Sequence, residues 1–152
     1  MFGVNEVKLG FFNLPSADDL FCDLTPKSLA ALDKIKQIKR FRKDACLFSK
    51  GDPPRGIYRL CAGRAQLLLD DGAKDEHLAR LIEPNEIFGL IEVFSNLPYE
   101  AEAKTITPCL CEFIEREDFI LFLMNEPEIC FRLARLLALR FQQSYRLFSL
   151  IN

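Results

Sequence analysis

The chain has 152 residues, enough for one domain with a sizeable core, and 49% hydrophobic with 28% charged residues is the composition of a globular protein. A net charge of −2 offers no basic face, which argues against DNA contact by this chain alone. The first residues do not follow the signal-peptide pattern and no apolar run is long enough for a membrane span, so we expect a cytoplasmic protein without membrane contact. In that compartment the six cysteines are expected to be free thiols.

The first element that the sequence predicts is a helix beginning at Thr25 and Pro26. Threonine can cap a helix through its hydroxyl, and proline loses no hydrogen bond in the first turn. Apolar residues recur at helical spacing as far as Lys36. From Gln37 to Phe48 the pattern alternates instead, and this predicts extended strand.

Short apolar runs then alternate with turn residues. The predicted strands cover residues 57–61, 64–69, 76–82, 99–106 and 109–114. Gly51, Gly63 and Gly72 stand at tight turns, where a positive φ is expected. Asp70, Asp71 and Gly72 form a strong hairpin signal. Many short strands at this spacing predict a closed sandwich or roll.

Helical periodicity returns at Arg116. A short helix is predicted over residues 117–124, and a second helix begins at Pro127 and runs to about Asn152. The short helix has an apolar side made of Phe119, Ile120, Leu123 and Met124. A stripe of the long helix is expected to pack on the roll, namely Leu133, Leu136, Leu139 and Leu147.

A second stripe of the long helix has heptad spacing, as expected for a dimer seam. Its residues are Cys130, Ala134, Leu137, Phe141, Ser144, Phe148 and Ile151. The alternative is that this helix forms one wall of a monomeric core. A helix of this length spans ~37 Å, which is more than a small roll needs, so we favour the dimer seam.

Two stretches of the strand region carry recognisable motifs. One runs Leu-Phe-Ser-Lys-Gly-Asp from Leu47 and continues from Ile57 as Ile-Tyr-Arg-Leu-Cys-Ala-Gly-Arg-Ala. The other runs from Leu78 to Gly89 and ends in Phe-Gly, with Asn85 where glycine is usual. In this order and spacing they resemble the sensor half of the catabolite-activator and fumarate-nitrate-regulator (Crp/Fnr) family.

The resemblance covers roughly residues 15–152. It implies a mainly β fold with flanking helices, a double-stranded β-helix (jelly roll) closed by a long C-terminal dimerisation helix. We expect the roll over residues 1–125 and the dimerisation helix over residues 126–152 of the same domain. The resemblance also implies a sensor and effector domain of a transcriptional regulator, not an enzyme. The sequence agrees, because we find no nucleophile–base arrangement, P-loop or dinucleotide motif in it.

The family's ligand cassette is altered in this chain. In members that bind cyclic nucleotides, a Glu directly after the glycine takes the ribose and an Arg about ten residues later pairs with the phosphate. Here Leu90 follows Gly89, and Glu100 stands at the Arg position. The resemblance implies a degenerate ligand pocket formed by Gly89, Leu90, Glu92, Tyr99, Glu100 and Ala101. A carboxylate repels a phosphate, so cyclic-nucleotide binding in the usual mode is not expected.

Other ligands remain open. Glu92 or Lys104 could rebuild a nucleotide site, since Tyr99, Lys104 and Arg80 have no assigned role. Family relatives also sense through iron–sulfur clusters or haem, but the cysteines here form no C-x-x-C pair. His77, the only histidine, is the candidate haem ligand, although a strand residue facing water is the favoured interpretation. We expect no other metal site.

Family regulators continue from the dimer helix into a helix-turn-helix, and this chain ends where that module would begin. It is either a segment of a longer regulator, which we favour, or a stand-alone sensor domain. Three hypotheses follow. The chain is a homodimeric Crp/Fnr-type sensor that reaches DNA only through a module outside it, a ligand-free dimerisation or interaction scaffold, or a haem-based gas or redox sensor.

Overall fold

The computed structural model describes residues 15–70 and 77–151. Its helices are α1 (Ala17–Phe21), α2 (Pro26–Ile35), α3 (Leu90–Ser95), α4 (Arg116–Met124) and α5 (Pro127–Ile151). Its strands are β1 (Lys36–Phe41), β2 (Cys46–Phe48), β3 (Gly56–Ala62), β4 (Ala65–Asp70), β5 (His77–Ile82), β6 (Ile87–Phe88), β7 (Glu102–Thr105) and β8 (Cys109–Glu115). In these described parts of the chain, no helix has the length and hydropathy needed to cross a membrane.

The strands form two antiparallel sheets, ordered β1-β8-β3-β6 and β2-β7-β4-β5. The predicted jelly roll with a long C-terminal helix is therefore confirmed. The β4–β5 hairpin is also confirmed by its pairing, which places Asp70 opposite His77. The turn between them, with Gly72, lies outside the described residues.

The N-terminal helices show how capping sets the boundaries. The Thr25 hydroxyl accepts a hydrogen bond from the Ser28 N–H at 3.1 Å, and α2 starts at Pro26 as predicted. Sequence analysis missed α1, whose Ser16 and Asp19 form a reciprocal capping box.

The strand predicted over residues 37–48 is two strands. Asp44 has a φ of 59°, and this left-handed turn separates β1 from β2. Alternating hydrophobicity runs on both sides of the turn, so the pattern alone did not reveal the break. Gly51 and Gly63 have the predicted positive φ, at 91° and 95°.

Asn85 occupies a position where the family usually has glycine, and it too has a positive φ, of 73°. Asparagine tolerates this conformation better than most residues. Its side chain also accepts a hydrogen bond from Arg59 at 2.9 Å and donates one to Asp18 at 3.0 Å. The turn therefore keeps its shape without glycine and is tied to α1.

Two apolar clusters form the core. One lies in the roll and includes Phe48, Tyr58, Leu60, Phe88, Tyr99 and Phe113. The other lies against the helices and includes Leu20, Leu32, Val93, Phe119 and Leu133. Helix α5 joins the second cluster by only part of its length.

The predicted apolar sides of the last two helices are partly right. Leu133 is buried and Leu136 packs against the core, as expected. Leu139 is 46% exposed and Met124 is 76% exposed, so these two assignments were wrong. Met124 is the last residue of α4, where the helix leaves the core surface, and Leu139 is turned away from the roll.

Candidate ligand cavity

A cavity of about 310 Å³ lies between the roll, α3 and α5. Its lining consists of Pro15, Phe48, Leu67, Leu69, Gly89, Leu90, Ile91, Glu92, Ser95, Leu97, Pro98, Glu100, Ala101, Leu133, Leu136, Leu137 and Arg140. Five of the six positions that the resemblance assigned to the pocket are in this lining; Tyr99 is the exception. A concave, mostly apolar site with a few polar groups is typical of a small-molecule site.

Gly89 shapes the wall from which α3 starts. Its φ is 82°, and a Cβ at this position would lie 3.0 Å from the carbonyl oxygen of Gly56 and 3.3 Å from the Tyr99 ring. Glycine is therefore needed both for its conformation and for the close approach of β3. The turn directs α3 along the cavity, where Leu90 is buried and Glu92 is half-buried.

Tyr99 lies in the core and not in the lining, in contrast to its predicted place in the pocket. It is 2% exposed, and its hydroxyl donates to the Gly56 carbonyl at 2.8 Å and accepts from the Gly56 N–H at 3.2 Å. Its ring stacks on Phe48, which does line the cavity. Tyr99 therefore positions the cavity floor. Sequence reasoning could not find this, because the stack joins residues far apart in the chain.

Glu92 and Glu100 bring two neighbouring carboxylates to the cavity. Burial raises the pKa of Glu92, and the charge of Glu100 raises it further, while backbone N–H groups of Glu92 and Glu100 act in the opposite direction. Within the described residues, neither carboxylate forms an ion pair with lysine or arginine. Lys104, which could have rebuilt a nucleotide site, is not in the lining and is not ion-paired with Glu100.

Helix α5 forms the roof through Leu133, Leu136, Leu137 and Arg140. These positions follow the i, i+3, i+4, i+7 spacing of one helix face, and that spacing could have revealed the roof. Leu137 was predicted in the dimer seam, but it is half-buried and packs against the core below α5.

The other predicted seam positions divide between two faces of α5. Ala134 and Phe141 are exposed, Ser144 is half-buried, and the Phe148 side chain lies outside the described residues. The exposed positions with heptad spacing are Phe131, Ala134, Ala138, Phe141 and Tyr145. The solvent-facing stripe is therefore rotated from the predicted one, and the two share Ala134 and Phe141.

Arg80, which had no role from sequence, is paired with Glu86. Its guanidinium donates to both carboxylate oxygens, at 2.8 and 2.6 Å, and also to the Leu81 carbonyl. Both side chains are mostly buried. Nearby, burial lowers the pKa of Arg140, whereas Asp19 and Glu86 favour its charged form. Arg140 thus has acidic neighbours, and Arg80 is held by Glu86.

The described residues bring together no cluster of metal-binding side chains. In residues 15–70 and 77–151, no cluster of three or more His, Cys, Asp and Glu side chains could hold a metal ion. His77 opens β5, but its side chain is not described, so neither the favoured water-facing interpretation nor the alternative of haem ligation is tested. Cys111 is buried, which raises its pKa to about 12 and keeps its thiol protonated.

Comparison with known proteins agrees with this fold. The CRP-like cAMP-activated global transcriptional regulator of Mycobacterium tuberculosis is 26% identical over 125 residues, which cover 82% of this chain and 56% of the relative. The chain thus spans just over half the length of that relative. The structure of Thermus thermophilus catabolite activator protein has a TM-score of 0.76 at 23% identity, covering 88% of this chain and 62% of that one.

A second solved structure has nearly the same extent as this chain. It is the N-terminal domain of a transcriptional regulator from Streptomyces coelicolor A3(2), with a TM-score of 0.69 and 22% identity, and the match covers 84% of this chain and 90% of that one. The cyclic nucleotide-binding domain family matches residues 38–126, more than half of the sequence. The resemblance to Crp/Fnr sensor domains is therefore confirmed, and the chain belongs to the cyclic nucleotide-binding domain family.

Proposed function

We propose that this domain is the sensor and effector part of a Crp/Fnr-type transcriptional regulator and that its cavity responds to a molecule other than a cyclic nucleotide. It acts as a non-catalytic homodimer in the cytoplasm, and it reaches DNA through a helix-turn-helix outside this chain. One observation carries the proposal. Glu100 lines the cavity beside Glu92, at the position where the family's arginine would hold the cyclic phosphate.

The charge of the site supports exclusion of cyclic nucleotides. A cyclic phosphate placed near the exposed Glu100 and the half-buried Glu92 would face two like charges and would be repelled. Arg140 also lines the cavity and forms no ion pair in the described residues, so its charge offsets part of this cost, while the acids Asp19 and Glu86 act on the same guanidinium. Leu90, where the ribose-binding Glu would stand, offers no hydrogen bond.

The position of α5 supports signal transmission. Leu133, Leu136 and Leu137 roof the cavity, while Phe141 and Tyr145 on the same helix are 74% and 65% exposed. A ligand that contacts the roof can change the population of α5 positions and so the geometry of a dimer formed through the exposed stripe.

Thermal melting with cyclic AMP, cyclic GMP and haemin tests the proposal. A ligand at one hundred times its dissociation constant should raise the midpoint by about 5–10 °C for a domain of this size. We expect no rise with either nucleotide for the wild type. The double variant Leu90→Glu/Glu100→Arg should gain a rise with cyclic AMP, and Glu117→Arg on the exposed side of α4 is the control.

Each other outcome has a definite meaning. A rise with cyclic AMP in the wild type would overturn the exclusion of nucleotides. A rise with haemin that is lost in His77→Ala would make the domain a haem-based sensor. Larger side chains at Leu136 and Leu137 would fill the cavity from its roof. If such variants remain dimeric, and if neither their melting nor the DNA binding of a full-length regulator changes, the ligand-free scaffold is favoured.

A further inference from the structure

The cavity combines mostly apolar walls with a small number of charged groups. The roll contributes Leu67 and Leu69 and α5 contributes Leu133, Leu136 and Leu137, so most of the surface that a ligand would touch is apolar. A volume of about 310 Å³ suits a small organic molecule. The body of the ligand must therefore be apolar, because polar groups buried against these side chains would lose their hydrogen bonds with water.

The charged groups of the lining differ in how well they are balanced. Arg140 has the attractive charges of Asp19 and Glu86 nearby, although no ion pair joins it to either of them, whereas the charge that acts on Glu92 is the like charge of Glu100. No ion pair to a lysine or arginine neutralises Glu92 or Glu100 in the described part of the chain. A cation is the ligand group that this pair of carboxylates would favour.

On the basis of the proposed sensor function, we propose that the effector is a small apolar molecule bearing a protonated amine, with the amine between Glu92 and Glu100 and the apolar body beneath α5. An ammonium group has three donors and no acceptor, so it can serve both carboxylates at once. A neutral apolar ligand would bury Glu92 further without supplying an opposite charge, and the negative group of an anion placed between Glu92 and Glu100 would be repelled.

A metal ion fits the site less well than an amine. Calcium takes six to eight oxygen ligands, and two carboxylates supply at most four. A metal ion would also leave the leucine walls without a contact. The amine with an apolar body uses both features of the cavity, and it touches the roof residues Leu136 and Leu137, through which α5 would respond.

Three probes of matched shape and different charge test the proposal: 2-phenylethylamine, 2-phenylethanol and 3-phenylpropionate, with hexylamine as a second amine. Binding is measured by calorimetry and by thermal melting at pH 7. We expect at least one amine to bind and to raise the midpoint by about 5–10 °C at one hundred times its dissociation constant. The neutral and anionic probes should bind at least tenfold more weakly.

Variants locate the binding. Glu92→Gln/Glu100→Gln should weaken the amine at least tenfold, whereas Glu117→Gln should leave it unchanged. Leu137→Phe, which fills the roof while remaining apolar, should weaken all probes and keeps the test valid if the double variant folds poorly.

The result that overturns the proposal is an absence of binding by both amines, or amine binding that survives in the double variant. A parallel titration with cyclic AMP distinguishes a failure of the amine proposal from a failure of the proposed sensor function. If neither amines nor cyclic AMP bind, the amine class is wrong and the exclusion of nucleotides stands. If cyclic AMP binds, the proposed function fails as well.

Discussion

The ring of Tyr99 lies nearly parallel to the ring of Phe48, with the centroids 3.8 Å apart and 12° between the planes. The Phe48 ring lines the cavity and the Tyr99 ring is buried behind it, where the Tyr99 hydroxyl donates one hydrogen bond to the Gly56 carbonyl and accepts one from the Gly56 N–H. The cavity floor is thus supported by a side chain that does not line the cavity. Because the same hydroxyl links the 97–101 loop to β3, we expect its removal to lower the stability of the fold more than it weakens ligand binding.

The first prediction concerns this hydroxyl. Tyr99→Phe keeps the stack but leaves the buried N–H and carbonyl of Gly56 without their partner. Leaving one buried polar group without its hydrogen bond costs about 1–3 kcal/mol. Because the structure can relax around Gly56, we expect the free energy of unfolding to fall by about 1–3 kcal/mol for the two groups together. Urea denaturation followed by circular dichroism measures it. Glu83→Gln, at an exposed position outside the proposed dimer stripe, is the control and should change stability by less than about 0.5 kcal/mol. Equal stability of the two variants would contradict the structural role of the Tyr99 hydroxyl.

Much of the fold could be predicted because its signals are local. Thr25 and Pro26 mark the start of α2, and Gly51 and Gly63 mark turns that need a positive φ. Two short elements were missed, although Ser16 and Asp19 have the spacing of a capping box, a local signal for the start of α1. Helix α1 has only five residues, and β6 has two and exists through its pairing with β3. Elements this short are defined by tertiary contacts, which a single sequence does not display.

The sequence indicated which positions line the cavity, but it did not show what their side chains contact. The order of motifs placed Gly89, Leu90 and Glu100 at the pocket, and all three line it. The sequence did not show that Tyr99 turns into the core, or that Leu137 forms part of the cavity roof. For Leu137 the reason is geometric, because this position has heptad spacing from Ala134 (i+3) and core-face spacing from Leu133 (i+4), so the sequence alone does not assign it to one stripe.

The second prediction concerns the pair of Arg80 and Glu86. Glu86→Gln removes the charge from a mostly buried, two-pronged ion pair while keeping one oxygen for the Glu83 N–H. Hydrogen bonds to charged groups contribute about 1.5–3 kcal/mol, and we expect a loss of that order in unfolding free energy. Chemical denaturation at low and at moderate salt is the measurement, because a pair with little solvent contact is screened only weakly.

Glu83→Gln, a few residues away and exposed, is the matched control for this pair. It should leave stability almost unchanged. If Glu86→Gln were as stable as the control, or if salt removed its effect, the pair would behave as an ordinary surface ion pair.

The third prediction is a pH dependence that originates at Glu92. Its pKa is raised in the folded protein by burial and by Glu100, so the folded state binds the proton more tightly than the unfolded state does. Stability from this group is therefore fully present below the unfolded pKa, falls as pH rises through the folded pKa, and stays low above it. Glu92→Gln cannot ionise, and at pH 7 its melting midpoint should exceed that of the wild type by about 2–4 °C.

The advantage of Glu92→Gln should shrink as pH falls from 7 and vanish near pH 4, about where an unfolded carboxyl titrates. Melting curves across this interval measure the difference, with Glu117→Gln as the control. An advantage that grows at low pH would have the wrong sign and would mean that the Glu92 carboxylate is stabilised, not penalised, by its surroundings.

The fourth prediction concerns the exposed stripe of α5, and it rests on the proposed homodimer. Phe131, Phe141 and Tyr145 are large apolar or aromatic side chains that remain 65% or more exposed, at heptad spacing with Ala134 and Ala138. Burial of such a stripe against a second copy is the expected source of dimer stability. The wild type should therefore sediment as a dimer, and Phe141→Glu should sediment as a monomer, because a carboxylate in the seam has no partner there.

The same experiment distinguishes the observed stripe from the one that sequence predicted. Tyr145→Glu lies on the exposed stripe and should weaken the dimer at least tenfold, measured by sedimentation equilibrium over a range of concentrations. Gln143→Glu adds the same charge to the same turn at an exposed position outside the stripe, and it should leave the dissociation constant unchanged. Comparable effects at residues 143 and 145 would indicate general charge repulsion. A wild type that remains monomeric would remove the homodimer from the proposed function, because no contact between copies would then exist to transmit a movement of α5.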